Sequence, residues 1–64
     1  MISINGNTQT YKQISVQKLL EELDLASSVC AIEVNNKLVP HKDRGEHIVQ
    51  DGDSIEIVSL VGGG

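Results

Sequence analysis

The stretch SVQKLLEELDL (15–25) repeats its apolar side chains at the spacing of a helix. Those on one face are Val16, Leu19, Leu20 and Leu23. Ser15 precedes them, where a hydroxyl oxygen can accept a hydrogen bond from a free N–H of the first helical turn. The stretch therefore predicts the main helix of the chain. Its acidic residues Glu21, Glu22 and Asp24 are interpreted as a solvated face, with a partner surface as the alternative.

Two short strands are predicted before the helix. Ile2 and Ile4 alternate with polar residues, which indicates a strand with one buried face. Gly6-Asn7 follows and can supply the positive φ angles of a tight turn, so TQTYKQ (8–13) is predicted to return as the second strand of a hairpin.

More strands are predicted after the helix. AIEVN (31–35) alternates as a strand, Asn35-Asn36 forms a turn, and KLVP (37–40) is a short strand that ends at its proline. HKDRGEH (41–47) predicts a polar loop or a single helical turn, and the apolar pair Ile48-Val49 follows.

The chain closes on a turn and a last strand. QDGD (50–53) predicts a turn with Gly52 at a positive φ, and SIEIVSL (54–60) is the strand. Its apolar pattern changes face, because Val58 and Leu60 share the face of Glu56. Either a bulge shifts the phase, or Val58 and Leu60 form an exposed patch for docking; the sequence leaves both open.

These elements predict an α+β fold. A helix with one apolar stripe is stable when it packs across one face of a sheet. A hairpin, a crossover helix and a C-terminal strand in this order define the ubiquitin-like β-grasp. We predict a mixed four- to five-stranded sheet with one main helix on one face. Residues 1–60 would form this β-grasp domain, and residues 61–64 a flexible C-terminal glycine arm.

Net charge, cysteine content and hydropathy limit the classes of partner and the cellular compartment that the sequence predicts. The 9 acidic and 5 basic residues give a net charge of −4 without a basic cluster, which argues against nucleic-acid binding. The single Cys30 cannot form an internal disulfide, which indicates a reducing compartment. No neighbouring residue suggests a base that would activate its thiol, so Cys30 is interpreted as a small, partly buried hydrophobe. The start MISINGN is unlike a signal peptide, and no apolar run is long enough for a membrane helix. We therefore expect a cytoplasmic protein, monomeric when free, that binds no membrane.

Catalytic and metal motifs are not recognisable. His41, Asp43, Glu46 and His47 could ligate a metal, but their spacing matches no metal motif, so no metal site is predicted. There is no G-x-S-x-G elbow, and the terminal glycines precede no helix that could support a phosphate. No catalytic site is therefore predicted from these motifs.

The last residues, SLVGGG (59–64), need another explanation. Glycines add nothing to a core, and four residues from Val61 onward reach at most about 13 Å when extended. Such an arm can enter another protein's active site, although a frayed terminus or a cloning remnant is the alternative. The carboxylate of Gly64 is then the special group, because an enzyme with ATP can convert it to an acyl-adenylate. Gly62 and Gly63 lack Cβ atoms and can thread a narrow channel.

The sequence resembles the ThiS family, the sulfur carriers of the thiamine pathway. The resemblance lies in IVQDGDSIEIVSLVGGG (48–64), in LLEEL of the helix and in AIEVNNKLVP (31–40). D-G-D, an aliphatic last strand and the terminal Gly63-Gly64 are its most specific features, and Gly62 is a third glycine beyond the pair.

The resemblance implies a carrier that is not itself a catalyst and binds no cofactor. A ThiF-type adenylating enzyme would consume ATP to activate Gly64. Sulfur from a cysteine-derived persulfide would then give a thiocarboxylate, which thiazole synthase would use. Gly62 and Gly63 would thread the partner's active site, and Val58, Leu60 and Val61 would line the docking region.

Three alternatives use the same features. The small subunit of molybdopterin synthase also carries a terminal thiocarboxylate, but its members are longer and richer in aromatic residues than this chain with its one tyrosine. A ubiquitin-like modifier would join the same carboxylate to lysines of other proteins. A plain interaction domain would have an inert tail.

Overall fold

The computed structural model describes residues 1–59, and the predictions made for residues 60–64 lie outside this range. It contains one α-helix, α1 (Val16–Glu22), and a 3₁₀ helix (His41–Asp43). Its strands are β1 (Ile2–Ile4), β2 (Asn7–Gln9), β3 (Gln13–Ser15), β4 (Cys30–Val34), β5 (Lys37–Leu38), β6 (Ile48–Gln50) and β7 (Ser54–Ser59).

Five strands form a mixed sheet in the order β2-β1-β7-β4-β5. The central pair β1 and β7 is parallel, and the other pairs are antiparallel. This confirms the predicted β-grasp, because α1 lies in the crossover between the two hairpins and β7 inserts between their first strands. A separate two-stranded sheet of β3 and β6 was not predicted.

The first hairpin differs from its prediction in two ways. Its turn is Asn5-Gly6, with φ angles of 49° and 84°, and not Gly6-Asn7. Asparagine tolerates the left-handed region, so Asn-Gly fits the two-residue turn that joins the β1–β2 pair. The predicted strand over residues 8–13 is also wrong, because β2 ends at Gln9 and Gln13 begins a strand that pairs with β6.

Helix α1 begins as predicted and ends at Glu22, earlier than residue 25. The Ser15 hydroxyl accepts a hydrogen bond from Lys18 N at 3.1 Å, which confirms the predicted N-cap. Asp24 takes a left-handed φ of 62°, and Leu25 N donates to Leu20 O at 2.7 Å. This Schellman-type hydrogen bond ends the helix, so Asp24 and Leu25 lie outside it.

The core lies between α1 and the five-stranded sheet. Fully buried aliphatic side chains come from the helix and from the strands. They include Val16, Leu19, Leu20, Ile2, Ile32, Val49 and Ile55. Leu23 is half-buried, and Cys30 is buried and free, as its interpretation as a small hydrophobe predicts. The core is thus aliphatic, and its centre lies beneath the central strands.

The segments around the core follow the remaining predictions with smaller differences. Asn35 and Asn36 have φ angles of 52° and 70° and form the β4–β5 turn, and Gly52 has the expected positive φ of 96°. The 41–47 segment contains the 3₁₀ helix, in agreement with a single helical turn. Arg44 in this segment is buried, which its polar surroundings in the sequence do not indicate.

Two asparagine side chains hold β7 at its two ends. At the C-terminal end, the Asn5 amide accepts a hydrogen bond from Ile57 N at 2.7 Å and donates to Ile57 O at 3.2 Å. Strand β1 has ended at Ile4, so this amide replaces the missing backbone partner. At the other end, Asn35 Oδ1 accepts from Ser54 N at 3.0 Å.

Asp53 completes the N-terminal anchor of β7. Its carboxylate accepts hydrogen bonds from Gln50 N at 2.8 Å and from the Asn35 amide at 3.1 Å. The Gln50 bond and then the Asn35 bond stabilise the charged form, so they hold the pKa of Asp53 below its ordinary value of 3.8. The ionised Asp53 carboxylate therefore links the turn before β7 to the β4–β5 turn by hydrogen bonds.

We expect Asn5→Gly to lower the free energy of unfolding by about 1–2 kcal/mol, because it keeps the positive φ and removes both amide hydrogen bonds. Asn36→Gly is the matched control, since Asn36 also has a positive φ but makes no side-chain hydrogen bond within residues 1–59. Urea unfolding of both variants measures the difference. Equal losses in the two would contradict a stabilising role for the Asn5 amide.

Asp53 predicts a dependence of stability on pH. A carboxylate whose folded pKa is lowered stabilises the fold above its unfolded pKa, and this contribution is lost as pH falls through the folded pKa. We expect Asp53→Asn to flatten the fall in unfolding free energy below about pH 4. Glu46→Gln controls for net charge, because it removes an exposed carboxylate. Denaturant titrations from neutral to acidic pH test this, and parallel curves for wild type and Asp53→Asn would refute it.

Candidate functional site

The predicted arm would leave the domain from the end of β7, so the candidate site is the surface around that end. β7 lies between β1 and β4 in the middle of the sheet. Strand β4 pairs with β7 as far as Ser59, and on the other side β1 pairs with Ser54 and Ile55 and the Asn5 amide with Ile57. The backbone of β7 is therefore hydrogen-bonded to the rest of the sheet up to its last residue, Ser59.

Val58 lies on the outer face of the sheet. Residues 55–59 of β7 pair one to one with residues 34–30 of β4, so there is no bulge within this stretch. Val58 is opposite Ala31 and is 54% exposed. Of the two explanations for the change of face, the bulge is wrong for this part of β7, and Val58 is exposed. Leu60 and Val61 lie beyond the described residues.

The outer face around Val58 combines aliphatic and acidic groups. Glu33 and Glu56 are directly opposite each other in the β4–β7 pair, and both are exposed. Leu38, which is 65% exposed, is opposite Glu33 on the next strand. Like charges at facing positions repel, so a basic group of a partner placed between them would be favourable. This face therefore suits a partner surface that is both apolar and basic.

A cavity of about 400 Å³ opens on the helix side of the same strand end. Helix α1 stops at Glu22 and leaves the last residues of β7 incompletely covered, so Ile57 is only half-buried. Leu23 and Leu25 line the cavity with Ile57, and Asn5 lines it too. The Asn5 amide thus borders the cavity and holds the strand that leads out of the domain.

The structure covers one of the predicted site residues, Val58. Gly62, Gly63 and Gly64 lie outside the described range together with Leu60 and Val61, and their roles stay predictions. Sequence reasoning missed Asn5, because it placed the turn at Gly6-Asn7. The Asn-Gly dipeptide was the signal that could have located the turn, but its contact with Ile57, 52 residues away, needs the tertiary fold.

Within residues 1–59, no three His, Cys, Asp or Glu side chains are grouped as a metal ion would require. The helices within residues 1–59 also lack the length and apolar composition that a bilayer-spanning segment needs.

Comparison with known proteins agrees with this architecture. The sequence profile of the ThiS family matches residues 2–64. The sulfur carrier protein ThiS of Escherichia coli is 40% identical over 50 residues, which are 78% of this chain and 76% of that protein. A thiazole synthase of Paramagnetospirillum magneticum is 39% identical over 62 residues, which are 95% of this chain but 19% of the enzyme.

A solved structure extends the similarity to three dimensions. The crystal structure of the thiamine biosynthesis protein ThiS from Geobacter metallireducens superposes with a TM-score of 0.79 at 25% identity. The match covers 98% of this chain and 97% of that one. The family profile, the relatives and the shared fold together show that this chain belongs to the ThiS family.

Proposed function

We propose that this chain, a sulfur carrier of thiamine biosynthesis, carries its sulfur as a thiocarboxylate on Gly64. The observation that supports this most directly is that the ThiS family profile matches the chain through Gly64 itself, together with the Gly63-Gly64 ending. The central position of β7 adds a physical reason. Because β7 is paired with β4 as far as Ser59, the flexible glycine arm would leave the domain from a well-defined point.

The chemistry requires activation by another protein. A carboxylate is a poor acyl donor, so its oxygen attacks the α-phosphate of ATP to form an acyl-adenylate and release pyrophosphate. A sulfur nucleophile, delivered as a cysteine-derived persulfide, then displaces AMP from the carbonyl carbon. Reductive cleavage of the sulfur–sulfur bond by a thiol leaves the thiocarboxylate. The chain is the co-substrate of these steps, and a ThiF-type enzyme supplies the adenylation.

Thiazole synthase is the proposed acceptor of the sulfur. In the Paramagnetospirillum magneticum relative, a segment like this chain makes up 19% of a thiazole synthase. A carrier segment joined to that enzyme supports a direct transfer between the two. In this chain, the thiocarboxylate of Gly64 would enter the enzyme on its glycine arm and donate sulfur there.

Docking is proposed to use the outer face around Val58, next to the end of β7. The exposed valine supplies apolar contact, and the facing Glu33 and Glu56 favour a basic group in the adenylating enzyme. Val58, with Leu60 and Val61, would hold the partner where the glycine arm begins. This placement explains why the apolar pattern of the last strand changes face.

Intact mass tests the terminal chemistry. The chain is produced with its adenylating enzyme and a cysteine desulfurase, and we expect the mass to rise by the difference between one sulfur and one oxygen, in the peptide that ends at Gly64. A single alanine added after Gly64 should abolish this gain, because it displaces the carboxylate. An unchanged thermal melt of the extended protein is the control for folding. Normal loading of the extended chain, or covalent adducts on lysines of other proteins, would contradict the proposal.

Val58→Asp tests the docking surface. Val58 is 54% exposed, so the substitution should change stability little, whereas it should weaken binding to the adenylating enzyme about tenfold or more. Ile48→Asp is the control, since Ile48 is a 40% exposed aliphatic residue in the separate β3–β6 sheet. Calorimetric titration measures both affinities. Equal weakening by the two variants would place the docking surface elsewhere.

A further inference from the structure

Arg44 is the one buried charged residue within residues 1–59, with an exposed fraction of 5%. Its Nη2 donates a hydrogen bond to the Cys30 carbonyl oxygen at 2.6 Å. Its Nε is buried and has no hydrogen-bond partner in the described range. The ion pairs of that range join the Met1 amino group to Asp51 and Lys18 to Glu21, so neither involves Arg44.

A guanidinium in this position is unusual on energetic grounds. Arginine cannot release its proton, so burial without a counter-ion leaves the full desolvation cost of the charge. The backbone of Arg44 is nevertheless well anchored. Its N–H donates to His41 O at 3.3 Å, and its carbonyl accepts from Gln17 N at 2.9 Å. The 3₁₀ helix and α1 therefore hold a preorganised cation whose N–H groups are incompletely used.

Arg44 lines a cavity of about 380 Å³ beside the loop that precedes β4. The other polar side chains that line it are those of Ser27, Ser28 and His41. Each of them can donate a hydrogen bond, and no described Asp or Glu lines the cavity. The chain has 9 acidic and 5 basic residues and so carries a net negative charge, whereas the charged side chain that lines this cavity is the positive Arg44.

We propose that this cavity binds a small oxyanion, a carboxylate or phosphate group, and that the positive charge of Arg44 attracts it. The planar guanidinium offers paired N–H donors that match the oxygen spacing of both groups. The Ser27 and Ser28 hydroxyls and the His41 ring can supply the remaining hydrogen bonds. A bound oxyanion would compensate the charge of the guanidinium.

The site adjoins the candidate functional surface. Arg44 is bonded to Cys30, and Cys30 is the register partner of Ser59 at the end of β7. Two sources share the required chemistry. One is a free anion from solution, and the other is the carboxylate of the chain's own terminus, which follows Ser59 by only five residues.

NMR titration of the full chain tests the proposal. The Nε–Hε resonance of Arg44 and the backbone amides of Ser27 and Ser28 are followed as inorganic phosphate or acetate is added, with sodium chloride at matched ionic strength as the reference. We expect saturable shifts with phosphate or acetate and a dissociation constant on the order of 1 mM, as suits one cation with a few neutral donors. Sodium chloride should not reproduce them.

Three variants separate the site from general electrostatics. Arg44→Lys should weaken binding about tenfold, because lysine lacks the planar fork. If this variant fails to fold, the double variant Ser27→Ala and Ser28→Ala tests the same cavity through two exposed residues. Lys42→Ala is the matched control, since Lys42 is an exposed cation in the same 3₁₀ helix and does not line the cavity. Its affinity should stay within about twofold of wild type.

Amidation of the C-terminus distinguishes the sources. If the chain's own carboxylate fills the site, amidation should shift the Arg44 Nε resonance and strengthen phosphate binding. If a free anion is the ligand, amidation should leave both unchanged. The proposal fails if no saturable shift occurs in either form, if chloride produces the same shifts, or if Lys42→Ala weakens binding as much as the cavity variants. Arg44 would then be a structural residue that acts through its hydrogen bond to the Cys30 carbonyl.

Discussion

The backbone of β7 depends on two asparagine side chains for hydrogen bonds that its neighbouring strands do not supply. Asn5 and Asn35 each occupy the first position of a two-residue turn, with a left-handed φ. Each directs its amide onto β7, at Ile57 and at Ser54 respectively. The same residue type thus reverses the chain in a hairpin and completes the pairing of the central strand. The two amide contacts lie at either end of the short segment in which β7 pairs in parallel with β1.

A central strand that is hydrogen-bonded near both ends would serve a carrier whose proposed reactive group, on Gly64, follows the strand in sequence. A domain of 64 residues buries a small core and has little stability to spare. Hydrogen bonds reach β7 from both sides as far as Ile57, while α1 is short and leaves a cavity beside Ile57. The outer face keeps an exposed valine and two facing carboxylates, an arrangement that contributes nothing to folding. A partner that supplies apolar and basic groups would turn these features into binding energy.

The 3₁₀ helix and the loop that precedes β4 enclose the cavity that Arg44 lines, near the same end of the sheet. Arg44 connects them by its hydrogen bond to the Cys30 carbonyl. The accepting carbonyl belongs to the first residue of β4, the strand that pairs with β7 up to Ser59. Occupation of the adjoining cavity would therefore affect the strand that positions the candidate functional surface. Structural support and anion binding would be two uses of one side chain.

The sequence by itself determined the features that depend on near neighbours along the chain. Periodicity located α1 and the aliphatic core, Ser15 marked the helix start, and Asn35-Asn36 marked a turn, because each signal acts within a few residues. Only the tertiary structure decided the exposure of Val58, the separate β3–β6 sheet, the amide of Asn5 on Ile57 and the burial of Arg44. These features depend on contacts between segments distant in sequence. A local pattern of polar and apolar residues does not specify which distant backbone group a side chain will contact.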